Sequence, residues 1–505
     1  MNILFTDVLV FSLFETTGFT APTDVLVEGT RIASIGPDAR GLATADARVM
    51  PGHGTRLLMP GLINGHFHSS ANHMKGALPS LPLELFMLYE SPSLDELKPT
   101  PREAYLRTML AALEMLRGGV TSVHDDVFFV PYPEPELIDA VMQAYRDSGI
   151  RATVALDQQD LPDSEKLPFM SDGVPPSFRD KLAAPAPRQA VDLLELYGHL
   201  ISTWHGAEQG RLSAAISISA PQRVSEDYFG ELHQLSRTHN LPLFAHMLET
   251  RVQRVLADEQ PRFRGRSLVK YTSDLGYLGE RTNVIHAVWV DGADLDLIAA
   301  SGAVVAHNPI SNLRLGSGVM PYREMLDQGI PVALGSDEAI TDDAVNLWSV
   351  AKMTGLIHNI SHPDPAQWPT AREILTSMFV GGAKAGLKDG MIGQVKVGFE
   401  ADLLLLDLTS ISFTPLNDLL RQLVYCESGT SVLATIVAGQ IVYEGGHVTT
   451  VDEEAILAEA REHFARRLPA LELARTNAEL AYPHFHRMTQ RAAATDVGMN
   501  RWVAK

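Results

Sequence analysis

The hydrophobic positions of this chain change their spacing twice. Up to residue 58 they fall in short runs, ILFTDVLVF, DVLVEGTRIASIG and ARVMPGHG, broken by Gly, Pro and Asp, which predicts a small antiparallel unit. From residue 59, apolar runs of strand length alternate with longer helical segments such as PELIDAVMQAYRDSG and DLDLIAASG. Eight runs follow one another: RLLMPGLINGHFH, GVTSVHDD, IRATVALDQQ, LSAAISISA, PLFAHMLE, TNVIHAVWV, AVVAHNP and PVALGSDE. Strands that are apolar throughout are buried on both faces, so the expected fold is α/β, a (β/α)₈ TIM barrel. After residue 390 short strands return in IGQVKVGFEADLLLLDL and SVLATIVAGQIVYEGGHV. These are expected to pair with the first strands as a small β-sandwich domain built from both chain ends. The predicted organisation is therefore 1–58 and 391–448 for that domain, 59–390 for the catalytic barrel, and 449–505 for a C-terminal helical tail. Within the tail, 452–480 reads as helix kinked at Pro469, and the last residues, RAAATDVGMNRWVAK, read as an irregular terminus.

Polar residues interrupt the apolar runs near their C-terminal ends, where a barrel of this kind collects its catalytic groups. His66 and His68 close the first run, His246 and Glu249 the fifth, His307 the seventh and Asp337 the eighth, and His286 lies in the sixth. Side chains two apart on a strand share a face, so His66 and His68 can hold one ion. His246 and Asp337, whose strand neighbours the first in a closed barrel, complete three nitrogen donors and one oxygen. Zinc or ferrous iron suits that set, with a position left open for a water whose pKa the ion lowers towards neutrality. A single histidine at a strand end is more often a hydrogen-bonded structural residue. Coincident polar residues on strands 1, 5, 6 and 8 do not yield to that explanation one at a time.

PGLINGHFH resembles the signature of the amidohydrolase superfamily, and AHMLE, IHAVWV, AHNPISNLRLGSGVMP, GSDEAITDDAVNLW, GGAKAGLKDGMIGQVKVGFEADLLLLDL and VAGQIVYEGG resemble blocks of its triazine-hydrolase and adenosylhomocysteine-deaminase branch, in order, over roughly residues 3 to 447. The resemblance implies one divalent metal on His66, His68, His246 and Asp337. It also implies Glu249 as proton shuttle, His286 as the group that positions the attacking water, and Asp337 as a further proton acceptor. Binuclear relatives carry a lysine on strand 4; AAISISAPQ has none, which favours a mononuclear site. The chain departs from the branch at Lys75-Gly76, where an arginine-glycine pair is frequent and a planar fork becomes a point charge. It departs again at His307-Asn308, Glu338 and Asp342-Asp343. Lys75, Phe86, Trp289, His307 and Glu338 are the expected substrate contacts, and Asp125, Asp126, Glu338 and Asp342 form an expected acidic rim suited to an amino-rich substrate.

Composition narrows the partners. With 45% hydrophobic and 20% charged residues, the 505-residue chain is a folding globular protein. Its formal charge of −20, spread rather than blocked, argues against nucleic acid as a partner. MNILFTDVLVFSLFE lacks a basic leader and reads as strand, and no run approaches the roughly 18 apolar residues of a membrane span. The lone Cys426 permits no intrachain disulfide, fits a reducing compartment and carries no assigned role. The expectation is a cytoplasmic enzyme, homo-oligomeric as the branch suggests, with a small-molecule substrate and neither membrane nor nucleic-acid partner. The leading function is hydrolytic deamination of an amino-substituted N-heteroaromatic compound. The alternatives are an amide, urea, carbamate or halide hydrolase using the same metal, and a catalytically silent binding protein. A second HFH, at His484 and His486, lies outside the barrel and is expected to pack at a surface or interface.

Overall fold

Residues 2–92, 97–169 and 175–502 are described by the structure, a computed structural model. The N-terminal strands are β1 (Ile3–Val10), β2 (Thr23–Glu28), β3 (Arg31–Ile35), β4 (Arg48–Pro51) and β5 (Arg56–Pro60). Next come β6 (Leu62–His68), β7 (Val120–Val127), β8 (Arg151–Leu156), β9 (Leu212–Ala214), β10 (Ile216–Ser217), β11 (Leu243–Met247), β12 (Thr282–His286), β13 (Val304–His307), β14 (Val332–Leu334) and β15 (Asp337–Glu338). The last four are β16 (Leu403–Asp407), β17 (Val432–Val437), β18 (Gln440–Glu444) and β19 (His447–Val448).

Both chain ends meet in one nine-stranded mixed sheet, ordered β19-β18-β17-β16-β5-β1-β2-β3 with β4 on β1. The seam is β16 against β5, antiparallel, with Met59 opposite Leu404. Alternate residues of these strands, among them Phe5, Val25, Val27, Leu403, Leu405 and Ile436, share one buried cluster, as the period of two requires. The β17–β18 hairpin turns through Ala438 and Gly439, both at positive φ, the geometry that matches strand twist in a two-residue turn. A Cβ on Gly439 would meet the Gly29 carbonyl oxygen at 2.0 Å.

The first long apolar run is two strands rather than one. Its RLLMP half belongs to the mixed sheet and its LINGHFH half to the parallel part, and the Gly61 amide between them donates to the Asp402 carbonyl at 2.9 Å. Proline cannot donate to a ladder, so Pro60 ends β5.

The parallel strands form two five-stranded sheets, β15-β6-β7-β8-β9 and β10-β11-β12-β13-β14. Only Ala215 separates β9 from β10, and only Gly335 and Ser336 separate β14 from β15. A Cβ on Gly335 would lie 2.8 Å from the His66 amide nitrogen and 2.4 Å from Asn308 Oδ1, so glycine there lets the chain pass against β6. Every residue of β6 and of β7 is buried, which is why their sequences show no alternation. Arg151, buried at the start of β8, binds Asp402 twice, Nε to Oδ2 at 2.6 Å and Nη2 to Oδ1 at 3.0 Å, and so ties the parallel strands to the mixed sheet.

The C-terminal segment differs from its expected form. One helix spans Glu453–Ala465 and a second spans Leu468–Ala494, so Pro469 opens a helix instead of kinking one, and the helix runs on through Pro483. Proline is tolerated in a first turn because its missing N–H would have no intrahelical partner. In the interior it costs about 3 kcal/mol, which the burial of Ala474, Ala478, Ala481, Phe485, Met488 and Ala492 on one face offsets. Of the expected irregular terminus, residues 503–505 lie outside the described residues. Among the described residues no helix is long and apolar enough to cross a membrane.

Candidate active site

Four of the predicted ligands converge at the ends of β6, β11 and β15. Register places Phe67 opposite Asp337 and His68 opposite Glu338, so β15 brings its carboxylate beside the two β6 histidines. His66 Nε2 and His68 Nε2 lie 3.3 and 3.6 Å from Asp337 Oδ1. His246 Nε2 lies 3.3 Å from His68 Nε2. The other ring nitrogens explain this contact. His68 Nδ1 is hydrogen-bonded to the Asp126 carbonyl, and His246 Nδ1 to the Ser219 carbonyl at 2.7 Å. A carbonyl only accepts, so each Nδ1 carries the proton and each Nε2 presents a lone pair. Two lone pairs facing one another, with His66 Nε2 buried and lacking a hydrogen bond, form an electron-rich pocket that fits a cation. Tetrahedral nitrogen ligands at about 2.0–2.1 Å from zinc lie roughly 3.3 Å apart, the spacing found here.

Burial keeps the His66 and His246 rings uncharged. It lowers His66 to about 4 against the opposing pull of Asp337, and lowers His246 further, with His66 and His68 adding to the effect. Asp337 is pushed up by burial, but the close approach of His66 and the surrounding histidines outweighs this and holds it well below the carboxylate range. Its Oδ2 accepts the Ser311 hydroxyl at 2.6 Å.

Glu249 and His286 flank this set. His286 Nε2 lies 3.6 Å from Glu249 Oε2 and 3.9 Å from Asp337 Oδ2. Its Nδ1 lies within hydrogen-bonding distance of Asn312 at 3.0 Å and Asn308 at 3.3 Å. Burial, then the charges of Asp337 and Glu84, raises Glu249 well above the usual carboxylate range, so it retains a proton that a solvated glutamate would release. The backbone is strained here: Ser219, Leu248, His286, Ala287 and Asp337 all have positive φ. Non-glycine residues hold that conformation at a cost of order 1–3 kcal/mol each, and such strain concentrates at functional sites.

These groups open onto a cavity of about 630 Å³, reached also by Glu338. Sequence reasoning missed several of its walls: Glu84, Met87 and Glu90 of helix Leu83–Glu90, Gln222 and Arg223 after β10, and one face of helix Leu468–Ala494. The APQR segment following the fourth run was the one available signal for Gln222 and Arg223. Glu84 Oε1 accepts the Thr250 hydroxyl at 2.6 Å. Glu90 and Glu338 hydrogen-bond one another, burial raising both.

The remaining expected contacts do not line this cavity, and each has an internal partner. Lys75 pairs with Glu114 at 2.5 Å. Phe86 is sealed in a cluster with Ala71, Met74, Leu315 and Ile340. Trp289 donates to the Ser317 carbonyl at 2.8 Å and meets Trp502 edge-on. His307 Nε2 lies 3.0 Å from His358 Nε2. The acidic residues form no continuous rim: Asp125 is fully buried, accepting from Ser69 and Tyr145, Asp126 is fully buried with Oδ2 on Ser217, and Asp342 does not line the cavity. Of the second HFH, His484 bonds Arg487, His486 stacks on Tyr482, and Phe485 between them reaches the cavity.

The sequence profile of the amidohydrolase family matches residues 57–442, which contain every residue of this cluster. The chain belongs to the amidohydrolase family. The 5'-deoxyadenosine deaminase of Methanosarcina mazei is 30% identical to this chain over 440 residues, covering 87% of this chain and 92% of its own. The 5-methylthioadenosine/S-adenosylhomocysteine deaminase of Nitratidesulfovibrio vulgaris is 31% identical over 439 residues, covering 86% and 91%. An adenosine deaminase from Xanthomonas campestris, solved with bound zinc, superposes with a TM-score of 0.78 at 25% identity, covering 92% of this chain and 98% of its own. This amidohydrolase is thus similar to enzymes of the expected deaminase branch. The family match ends before helices Glu453–Ala465 and Leu468–Ala494 begin.

Proposed function

We propose that this amidohydrolase is a mononuclear metal-dependent aminohydrolase that removes the exocyclic amine of an adenosine-type nucleoside or a related amino-substituted N-heteroaromatic compound. The observation that carries the reading is the 3.3 Å approach of the His68 and His246 lone pairs beside a buried Glu249. The deaminase names of relatives at 30% and 31% identity support it. The metal is Zn²⁺ rather than Fe²⁺, a reading supported by the nitrogen-rich donor set and by zinc in a structural neighbour. His66, His68, His246 and Asp337 hold it. The strand 4 segment AAISISAPQ offers no lysine for a second ion.

When bound, the ion supplies Lewis acidity that lowers the pKa of water towards neutrality. Hydrolytic loss of ammonia also needs protons, one on the ring nitrogen beside the reacting carbon and one on the departing amine. Glu249 holds a proton at its carboxyl and faces the cavity, so it can deliver one to the ring nitrogen and recover one from water. His286, anchored by Asn312 and Asn308, aims Nε2 at the space between Glu249 and Asp337 and orients the attacking oxygen. Asp337, held ionised, accepts a proton as that oxygen adds to the ring.

The same reading closes the two parallel sheets into one (β/α)₈ barrel at 59–390. It makes 1–58 and 391–448 a β-sandwich domain, 449–505 a helical extension, and the enzyme a cytoplasmic homo-oligomer. Ammonia release from adenosine-type nucleosides by zinc-loaded protein is the test. His246→Ala is expected to purify without the ion. Glu249→Ala should retain it and lose about 10²–10⁴-fold in kcat. A metal-replete parent enzyme releasing no ammonia across purine, pyrimidine, pterin and triazine amines would sink the reading. An amine and an acid fragment as products would instead select the amide or urea alternative.

A further inference from the structure

Resting on the deaminase reading, we infer that helix Leu468–Ala494 is the specificity wall of the active site, and that it selects aminated heteroaromatic substrates carrying an uncharged apolar substituent. The cavity that begins at the metal ligands is continuous with this helix: Ala474, Ala478, Ala481 and Phe485 line it together with His68, His246 and Glu249. Leu83, Met87 and Leu88 of helix Leu83–Glu90, which packs against this helix through Leu85, line the same space. The two packed helices thus present hydrocarbon to a space contiguous with the reacting groups.

Several of the charges nearest the metal ligands are engaged within the protein. Glu84 holds Thr250, and Glu90 and Glu338 hold each other. Arg223 contacts Ser219 Oγ at 3.2 Å and Met87 Sδ at 3.5 Å. Gln222 lines the same cavity at 2% exposure, and its Oε1, buried deep in the wall, has no hydrogen-bond partner. A buried amide oxygen without a donor is costly unless a bound ligand supplies one, so the cavity has both an apolar wall and a point that accepts an N–H or O–H.

The wall is fixed to the loops that carry the chemistry. Arg251, two residues after Glu249, donates to the Thr495 carbonyl and lies over the rings of Trp289 and Trp502, 5.5 and 5.2 Å from their centroids. Trp502 Nε1 donates to the Gly316 carbonyl at 2.9 Å, and Arg501 donates to Val290 at 2.7 Å. The terminus therefore clasps the segments after β11, β12 and β13, giving the helix a set position over the cavity.

The test compares adenosine with its 5'-deoxy-5'-butylthio derivative on the zinc-loaded full-length enzyme, by kcat/KM for ammonia release and by calorimetric binding. The parent is expected to favour the butylthio compound. Ala478→Phe, which fills the apolar space, should lower that preference by about tenfold or more, the discrimination one or a few methylenes bring in a fitted pocket. Phe485→Leu should shift it the other way for a hexylthio derivative, which guards against one variant misfolding. Absence of ammonia from both nucleosides overturns the deaminase reading. A binding preference for the butylthio compound that neither variant moves, or a parent that prefers adenosine, overturns the wall.

Discussion

At His68 and His246 the nitrogen away from the site decides what the nearer one can do. Backbone carbonyls of Asp126 and Ser219 fix both tautomers, and no side-chain pattern could have announced them, because a carbonyl is common to every residue. The positions of the proposed ligands were legible, since polar residues stand out at the ends of apolar strands. Trp289 and Lys75 misled for a related reason: their shapes suit a pocket, but Trp502 and Glu114 claim them, and such distant pairings leave no trace in local pattern. A residue-scale prediction comes from His124 and His358, which burial lowers to about 3. Unfolded imidazoles take up a proton near 6.5. Between about pH 6.5 and 3 the unfolded state therefore binds more protons than the folded state, and stability is lost as pH falls, by up to about 1.4 kcal/mol per pH unit for each ring. His124→Leu removes one of these titrations. Urea unfolding of parent and variant should show their difference growing in the variant's favour as pH drops from 6.5 to 4; a constant difference would mean His124 does not stay neutral.

At the scale of elements, strands were easier to read than the last helix. Eight apolar runs carry their own boundaries in Gly, Pro and charged residues, whereas helix Leu468–Ala494 presents its buried face as small alanines at 474, 478 and 481 between charged neighbours. Alanine every third or fourth residue is a weak apolar signal, and the expected helix stopped at 480, short of its end at Ala494. The helix persists because Phe485, Met488 and Ala492 pack with Leu85, Val252 and Val255 of helices Leu83–Glu90 and Arg251–Glu259. Pro483 itself is exposed, so its cost is local and removable. Pro483→Ala is expected to stabilise the helix by about 1–3 kcal/mol. Amide exchange across 468–494 should slow accordingly, with the cavity and the purified zinc content unchanged; unaltered exchange would show that Pro483 does not weaken the helix.

At the scale of the whole molecule, the proposed ion is also a structural tie. His66, His68 and Asp337 belong to the sheet β15-β6-β7-β8-β9, whereas His246 belongs to β10-β11-β12-β13-β14. Within each sheet, hydrogen bonds hold the strands. Between the two, only short crossings at Ala215 and at Gly335-Ser336 carry the chain directly across. An ion shared by both sheets closes a link that the unfolded chain cannot preserve, so it must shift the folding equilibrium by mass action, by about 4 kcal/mol at a free concentration a thousand times Kd. Stripping the metal with a chelator should therefore lower Tm by several degrees, and the Tm of the stripped protein should rise with added zinc until the site saturates. His246→Ala, which cuts the link on one sheet only, should show little response to zinc, and its Tm should match that of the stripped parent more nearly than that of the loaded one. Asn64, which spans β6 and Ser336 through two hydrogen bonds at 2.8 and 3.0 Å, supplies the comparison: Asn64→Ala should lower Tm in loaded and stripped protein alike, because it weakens the Ser336 crossing between the sheets, whose hydrogen bonds the ion does not replace. A zinc-independent Tm in the parent would leave the four ligands as a catalytic grip without a part in holding the two sheets together.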